Sequence, residues 1–562
     1  MTKRVVVASG YFNPLHYGHV SYLEKARDLG TSLIVIVNND LQAAKRKSDR
    51  PHGGDMTLPA RERVKLVRSL QCVDAAVEAV DEDESVAVTL QLLHPDIFAN
   101  GGGQTPTKQE IQVCQRLNIQ MVDGLGIQLL SLAPFTQHYD WGKPRNESII
   151  AALTGQQSPH LTDEPDAAKP FAEMWMGDHP SGPARVVSPG TSPRNADKTV
   201  HRATSLQDVF NKTPSVLGPQ LQDSKQLPFL LKVLSIHKAL SIQAHPDKEL
   251  ASRLHLERPH IYKDPNHKPE IAIALTDDFQ ALCGFRPVPE IIEILEHMPE
   301  AAVIIGPDSL ENLKAAVGDS SAESTALKSA YARLMHASED DVINQIQLLH
   351  SRALQPPQSV PPKIKELYEL ICKLHAQYDN DIGIFSALFM NYARLKVGEC
   401  LYMAQNVPHA YIAGDIVECM ACSDNVVRGG LTPKFKDVEV LCDMLRYEGG
   451  PPATVIPSEL DRGVKLYADP DIEEFQVMHL HLEAGGRQHR LFSSEGPAMA
   501  LNLKGSGTVT ISGETRDIGP GKVFMLAAGV EPEIQAMTEM DVFVACCPPQ
   551  YFRTPQVSPQ NK

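Results

Sequence analysis

The sequence has no apolar stretch approaching the roughly 20 residues that a membrane-spanning helix requires, so no spanning helix is expected. Its N-terminus, MTKRVVVASGYFNPLHYGH, starts basic, but Gly10, Asn13 and Pro14 break the apolar run before it could form the core of a secretion signal. A cytoplasmic protein is the expectation, with no membrane partner. Basic excess is missing too. With 53 Lys and Arg against 69 Asp and Glu, the net charge of -16 gives nucleic acid no general electrostatic footprint. An anionic ligand would therefore need a local basic pocket in an acidic protein. Ten cysteines in 562 residues are too sparse for a disulfide scaffold, and Cys283, Cys400, Cys546 and Cys547 lie in apolar, strand-like text, so they read as reduced core residues. Cys419 and Cys422 form a CxxC without the second pair a zinc knuckle needs. No internal repeat is evident.

What is present divides into several units. The length exceeds what one hydrophobic core organises and suggests three or four domains, while 42% hydrophobic and 22% charged residues are ordinary globular values. RVVVAS, ending at Gly10, reads as a buried strand; HYGHVSYLEKARDLG has helical periodicity, and LIVIVNND is a second buried strand. This order starts a parallel α/β sheet of Rossmann type over 1–127. Beyond Gly284 the pattern turns helical, as in PEIIEILEHM and ALKSAYARLMH, until strand text returns near Leu395. The expected plan is a β-barrel unit in two parts, 128–288 and 394–450, split by a helical insertion at 289–393. A second, cupin-type β unit follows over 451–562, where GSGTVTISG and RDIGPGKVFMLAAG are short strands with Gly and Pro turns.

The chemistry concentrates in Lys232 to Glu270. In SIQAHPDK, read as a strand, Gln243 and His245 project from one face and can share one ion. An amide oxygen, an imidazole and the Glu270 carboxylate make a mixed set suited to a borderline divalent metal, and a second imidazole would complete it. His409, in QNVPHAYI, is the candidate. His479 and His481, in VMHLHLEAG, alternate like a metal pair, but no acidic partner follows them in strand text, so they read as ordinary strand residues.

Five strings carry a family resemblance: QHYDWG, EMWMGDHPSGP, LPFLLKVLSIHKALSIQAHPDK, HKPEIAIAL and NVPHAYIAGDIVECMACSDNVVRGGLTPKFKDV. Together, from about Ser131 to the region of Cys547, the chain resembles the type I phosphomannose isomerases. The resemblance implies one zinc ion per chain held by Gln243, His245, Glu270 and His409, Arg428 as the active-site arginine, and Lys232, Ser241 and Lys434 near a sugar phosphate. It implies interconversion of mannose 6-phosphate and fructose 6-phosphate, feeding GDP-mannose synthesis. Such a reaction moves a proton between C2 and C1 through an enediolate, and Glu418, Asp424 and Lys268, within or beside the same strings, are the candidate carriers.

The N-terminal unit carries a second resemblance. His16 and His19, in HYGH directly after the first strand, with DIFANGG later, resemble the HxGH nucleotidyltransferases related to cytidylyltransferases. That implies a nucleoside triphosphate with Mg2+, touched by His16 and His19, with Gly101 and Gly102 near the base. Two departures stand out: GLGIQLLSLAPF replaces the Ser/Thr-rich motif before a late helix, and Gly103 replaces a polar residue. Three readings follow: an isomerase with an accessory N-terminal domain, a bifunctional enzyme that also transfers a nucleotidyl group to a sugar or polyol phosphate, and a sugar-phosphate-binding protein without turnover.

Overall fold

The computed structural model describes residues 4–15, 17–48, 58–101, 106–126, 128–155, 169–187, 204–489, 495–511 and 514–552. The first unit is a five-stranded sheet of β1 (Val5–Gly10), β2 (Ser32–Val37), β3 (Ala75–Glu78), β4 (Ile97–Gly101) and β5 (Gln120–Leu125), in the order β3-β2-β1-β4-β5. All four pairings are parallel, as expected of buried strands linked by helical crossovers. The strand order reverses at β1 and β4, where open α/β sheets bind ligands. Tyr22, on the helix Tyr17–Asp28, ties the two strands there: its hydroxyl donates to the Ala99 carbonyl at 2.8 Å and accepts from the Ser9 N–H at 3.1 Å.

The chain then enters β6 (Leu129–Ala133), β7 (Phe135–Gln137), β8 (Glu173–Met176) and β9 (Arg185–Val186). The strands that matter most for chemistry are β10 (Phe229–Ile236), β11 (Ile242–Ala244), β12 (Glu270–Ala274), β13 (Phe279–Phe285), β14 (Met390–Leu395), β15 (Cys400–Met403), β16 (His409–Ala421) and β17 (Val427–Gly430). β16 is the hub of this sheet, pairing antiparallel with β10, β11, β12 and β13. Every residue of β10 and β12 is buried, which explains their nearly unbroken apolar text. Lys232 and Glu270 are exceptions, and a buried charge must be paired or bind an ion.

Seven helices lie between β13 and β14 and form a core of their own. Ser320–Met335 is typical: Asp319 caps it, and Ala326, Leu327, Ala330, Tyr331 and Leu334 recur at three and four spacing on its buried face. The helical text ends at Phe389, and strand begins at Met390, a few residues earlier than the alternation near Leu395 suggested. The cause is GIFSALFMNY, an apolar run whose periodicity does not separate helix from strand.

The last unit holds strands from Ser458 to Cys546, and its larger sheet is completed from the other end of the isomerase-like text: β6 pairs with Val523–Leu526, and β9 pairs with β6. The two β units are thus interleaved along the chain, and one hydrophobic core runs through both, from Leu130 and Phe229 to Val544. Among the described residues, no helix is long and apolar enough to cross a membrane.

Candidate metal centre

Strand register assembles the site. Gln243 on β11 is opposed to His409 on β16 and to Arg428 on β17. Directly opposed residues share a face, so these three project together. One layer further, Lys232 on β10 opposes Glu418 on β16 and Trp175 on β8, while Glu418 also opposes Ala272 on β12, two residues beyond Glu270.

His245, Glu270 and His409 are buried and offer three donor atoms within 4.8 Å of one another. His245 Nε2 lies 3.5 Å from Glu270 Oε1, and His409 Nε2 lies 3.4 Å from Glu270 Oε2. Each imidazole is oriented from behind: His245 Nδ1–H donates to the Asn425 carbonyl at 2.7 Å, and His409 Nδ1–H to the Val407 carbonyl at 3.0 Å. That fixes the tautomer with both Nε2 lone pairs turned inward, the usual arrangement of histidines that bind metal. His245 Nε2, His409 Nε2 and Glu270 Oε2 are all buried without a hydrogen-bond partner. Three orphaned buried atoms converging on one point are costly unless a cation satisfies them, so these residues fit a metal ion. Burial, with Lys268 nearby, lowers the His245 pKa to about 4, leaving the ring neutral and ready to ligate. Burial alone would raise Glu270, but surrounding charge, first the Lys268 ammonium, outweighs it and holds the carboxyl well below its ordinary value.

Around this trio lies a buried ionic cluster. Lys268 Nζ is 2.8 Å from Glu270 Oε1; Lys232 Nζ is 2.9 Å from Glu418 and 3.6 Å from Glu173, and it stands over the Trp175 ring. Two ammoniums meet three carboxylates, so the cluster is one positive charge short. Glu418 registers the shortfall: burial, then Glu270, raise its carboxyl despite Lys232, and the Tyr411 hydroxyl donates to it at 2.8 Å. Arg428 is half-buried, and among the described residues it has no carboxylate partner. Asp424 lies 3.5 Å from His179 Nε2, and Ser241 and Gln243 are half-buried. Lys434 is exposed in the segment after β17, and no described contact joins it to the cluster. Four residues of this centre were not singled out from the sequence: Glu173, Trp175, His179 and Tyr411. The signals were there, since Glu173, Trp175 and His179 stand in EMWMGDHP and Tyr411 alternates with His409 on one strand.

Elsewhere, His19 is half-buried with its ring 5.0 Å from that of Phe12, and Gly101 closes β4, where an added Cβ would press on the Tyr22 ring. His16 and Gly102 lie outside the described residues. The reading of His479 and His481 as lacking an acidic partner is corrected: Asp541 Oδ1 lies 2.9 Å from a ring nitrogen of each. Asp541 sits on the neighbouring strand directly opposite His481, sixty residues away, where no local pattern could show it.

Asp178, beside His179, gives a pH signature. Its carboxyl is buried, accepts from the Leu227 N–H at 3.3 Å, and is raised by burial to about 7. Above an unfolded pKa of roughly 4, the folded state therefore holds the proton longer than the unfolded state, and stability falls as pH rises toward 7. Asp178→Asn removes this loss. The variant is expected to unfold at least about 2 °C above the parent at pH 8, with the gain vanishing near pH 4, in thermal melts of metal-free protein.

A helical domain inserted in a β unit, with a buried His–Glu–His centre among paired ammoniums and carboxylates, describes an enzyme-like site built for a cation. Residues 129–288 match the catalytic domain of type I phosphomannose isomerase, residues 304–390 its helical insertion domain, and residues 7–124 a cytidylyltransferase-like domain. The mannose-6-phosphate isomerase of Mus musculus is 39% identical over 74% of this chain and 98% of its own length. A phosphomannose isomerase mutant from Salmonella typhimurium is 25% identical, with a TM-score of 0.61 over 74% of this chain and 99% of its own. A mannose 6-phosphate isomerase solved with zinc and yttrium shares the fold at 24% identity and a TM-score of 0.61, covering 75% of this chain and all of its own. The chain belongs to the type I phosphomannose isomerase family of aldose–ketose isomerases.

Proposed function

We propose that the chain is a zinc-dependent mannose-6-phosphate isomerase that interconverts mannose 6-phosphate and fructose 6-phosphate through an enediolate, in a cupin-type β unit. The observation that carries this reading is the set of three buried, unpartnered donor atoms on His245, Glu270 and His409 in a chain of this family. Gln243, opposed to His409, is the fourth ligand. Zinc held there supplies a Lewis acid toward the sugar's carbonyl and hydroxyl oxygens. The protein's own groups do the rest. Arg428, cationic and without a carboxylate partner among the described residues, offsets charge on the enediolate oxygen. Glu418, whose carboxyl burial raises above its ordinary value and which accepts from the Tyr411 hydroxyl, is a candidate proton carrier, with Lys268 and Asp424 as the others. Lys232, ion-paired with Glu418, serves the sugar phosphate together with Ser241 and Lys434. A cytoplasmic enzyme of this kind would supply hexose phosphate for GDP-mannose synthesis.

For the N-terminal unit we propose a nucleotidyl-transfer site using a nucleoside triphosphate and Mg2+. What favours it is the cytidylyltransferase-like match together with Gly10 and Gly101, which end the two strands flanking the sheet's switch point. His16 and His19 would touch the triphosphate, and Gly101 and Gly102 the base.

The decisive experiment is a coupled assay of fructose 6-phosphate formation by the full chain and by a chain beginning at Gln128. Because β6 begins at Leu129 and the named isomerase residues all lie beyond it, both are expected to turn over mannose 6-phosphate at rates within about threefold of each other, the difference that about 0.7 kcal/mol makes. An inactive, zinc-loaded shorter chain would make the N-terminal unit part of the isomerase. Pyrophosphate release from nucleoside triphosphates and sugar or polyol phosphates, by the full chain only, tests the second site.

A further inference from the structure

Glu474 is a buried carboxylate of the C-terminal β unit, in the segment before the strand Gln476–Leu482. Its Oε1 lies 2.6 Å from His267 Nε2, and among the described residues its Oε2 is buried without a hydrogen-bond partner, so the His267 imidazole is the main answer to its charge. The other nitrogen of that ring, Nδ1, lies 3.2 Å from Oε1 of Gln405. Both ring nitrogens thus face oxygens, the arrangement of an imidazolium donating twice.

What makes the contact consequential is where the two partners of Glu474 lead. His267 stands three residues before Glu270, with Lys268 between them. Gln405 stands four residues before His409, in the turn that enters β16. The next residue of that turn, Asn406, donates its N–H to the His245 carbonyl at 2.7 Å and exchanges two hydrogen bonds with Asp247, at 2.8 and 3.1 Å. One imidazole therefore joins the C-terminal unit to the approaches of Glu270 and His409, and through Asn406 to His245.

We propose that Glu474 is a positioning residue for the metal centre: acting through His267, it holds the segments carrying Glu270 and His409 at the separation a metal requires. The inference rests on the reading of that centre as a zinc site. The charges agree with the geometry. Burial pulls the His267 pKa down, but hydrogen bonding and charge from Glu474 outweigh it and raise it; burial pushes Glu474 up, but His267 outweighs it and lowers it. The role also gives the C-terminal unit, which carries none of the named ligands, a part in the site.

The test compares zinc-loaded full chains of wild type, Glu474→Gln, Glu474→Ala and Asp541→Asn. The last removes the carboxylate between His479 and His481 on the same unit, away from the centre, and calibrates a purely structural loss. Zinc release to a chelator and steady-state kinetics on mannose 6-phosphate are read on each, with thermal midpoints. Groups hydrogen-bonded to metal ligands are worth about 10–100-fold in affinity or activity, and Glu474 acts one contact further out, so Glu474→Ala is expected at the low end of that range, releasing zinc about tenfold faster and losing kcat with KM within about twofold. Glu474→Gln, which keeps an acceptor but no charge, should fall between, and decides the matter if the alanine variant does not fold. Asp541→Asn should lower the midpoint without changing zinc release. Zinc release and kcat within twofold of wild type in the Glu474 variants, or changes no larger than those of Asp541→Asn at an equal midpoint, would overturn the proposal. A wild-type chain inactive on mannose 6-phosphate would instead sink the functional reading, leaving zinc release to judge Glu474 by itself.

Discussion

Glu270→Ala is expected to reduce isomerase turnover by about a thousandfold or more, because a Lewis acid on the reacting oxygens is worth several kcal/mol and each 1.36 kcal/mol is tenfold in rate. Glu270 is the geometric middle of the centre, with His245 on one carboxylate oxygen and His409 on the other. Deleting it leaves two neutral imidazoles and the Lys268 ammonium, a set that repels a cation. Zinc content measured alongside activity gives the check: the variant should be both inactive and metal-free, and wild type treated with chelator should match it until zinc is returned. Glu270→Gln, which keeps the shape, should still lose zinc because it loses the charge. Turnover near the wild-type rate in either variant would remove Glu270 from the site. Acid should act in the same direction. His245 titrates near 4 in the fold and near 6.5 when unfolded, so the unfolded chain takes up the proton first and folded metal-free protein loses stability as pH falls through that window.

How much of this is legible in the sequence depends on the distance over which each feature is encoded. Gln243 and His245 were readable because a strand puts alternate residues on one face, and the parallel N-terminal sheet because strand and helix text alternate cleanly. The convergence of His409 from 139 residues beyond Glu270 is a matter of strand pairing, which no local pattern specifies; only the long family strings pointed to it. The same limit hid Asp541 from His479 and His481, and Glu173 from Lys232. It also hid the return of β6 and β9 into the last sheet, since their short text carries no sign of which sheet they join. Buried charges gave the opposite case. Lys232 in FLLKVLSI and Glu418 in DIVECMA break apolar strands and could have been paired as opposite charges needing each other, though not assigned to facing positions.

Arg428→Ala is expected to lower kcat about a hundred- to a thousandfold while moving KM much less, the cost of removing one preorganised group that meets developing oxyanion charge. The position supports this more than a role in binding phosphate. Arg428 is opposed to Gln243 on the strand beside the centre, so its guanidinium shares the face on which the sugar's reacting oxygens would lie. Burial lowers its pKa, yet an arginine stays protonated across the working range, so in the proposed reaction it would serve as a fixed charge and not as the proton carrier. Among the described residues it also lacks the carboxylate partner that Lys232 and Lys268 each have, and a half-buried cation without such a partner gains most when charge appears on the substrate. Arg428→Lys keeps the charge but not the planar fork, and should recover less than about a tenth of the lost rate if two oxygens are held at once. Lys434→Ala supplies the contrast: exposed and beyond the cluster, it should raise KM several-fold with kcat nearly unchanged. Steady-state kinetics on the three variants, with zinc content held equal to wild type, separates the roles. A large rise in KM with intact kcat for Arg428→Ala would move the arginine to the phosphate and leave the enediolate charge to the metal alone.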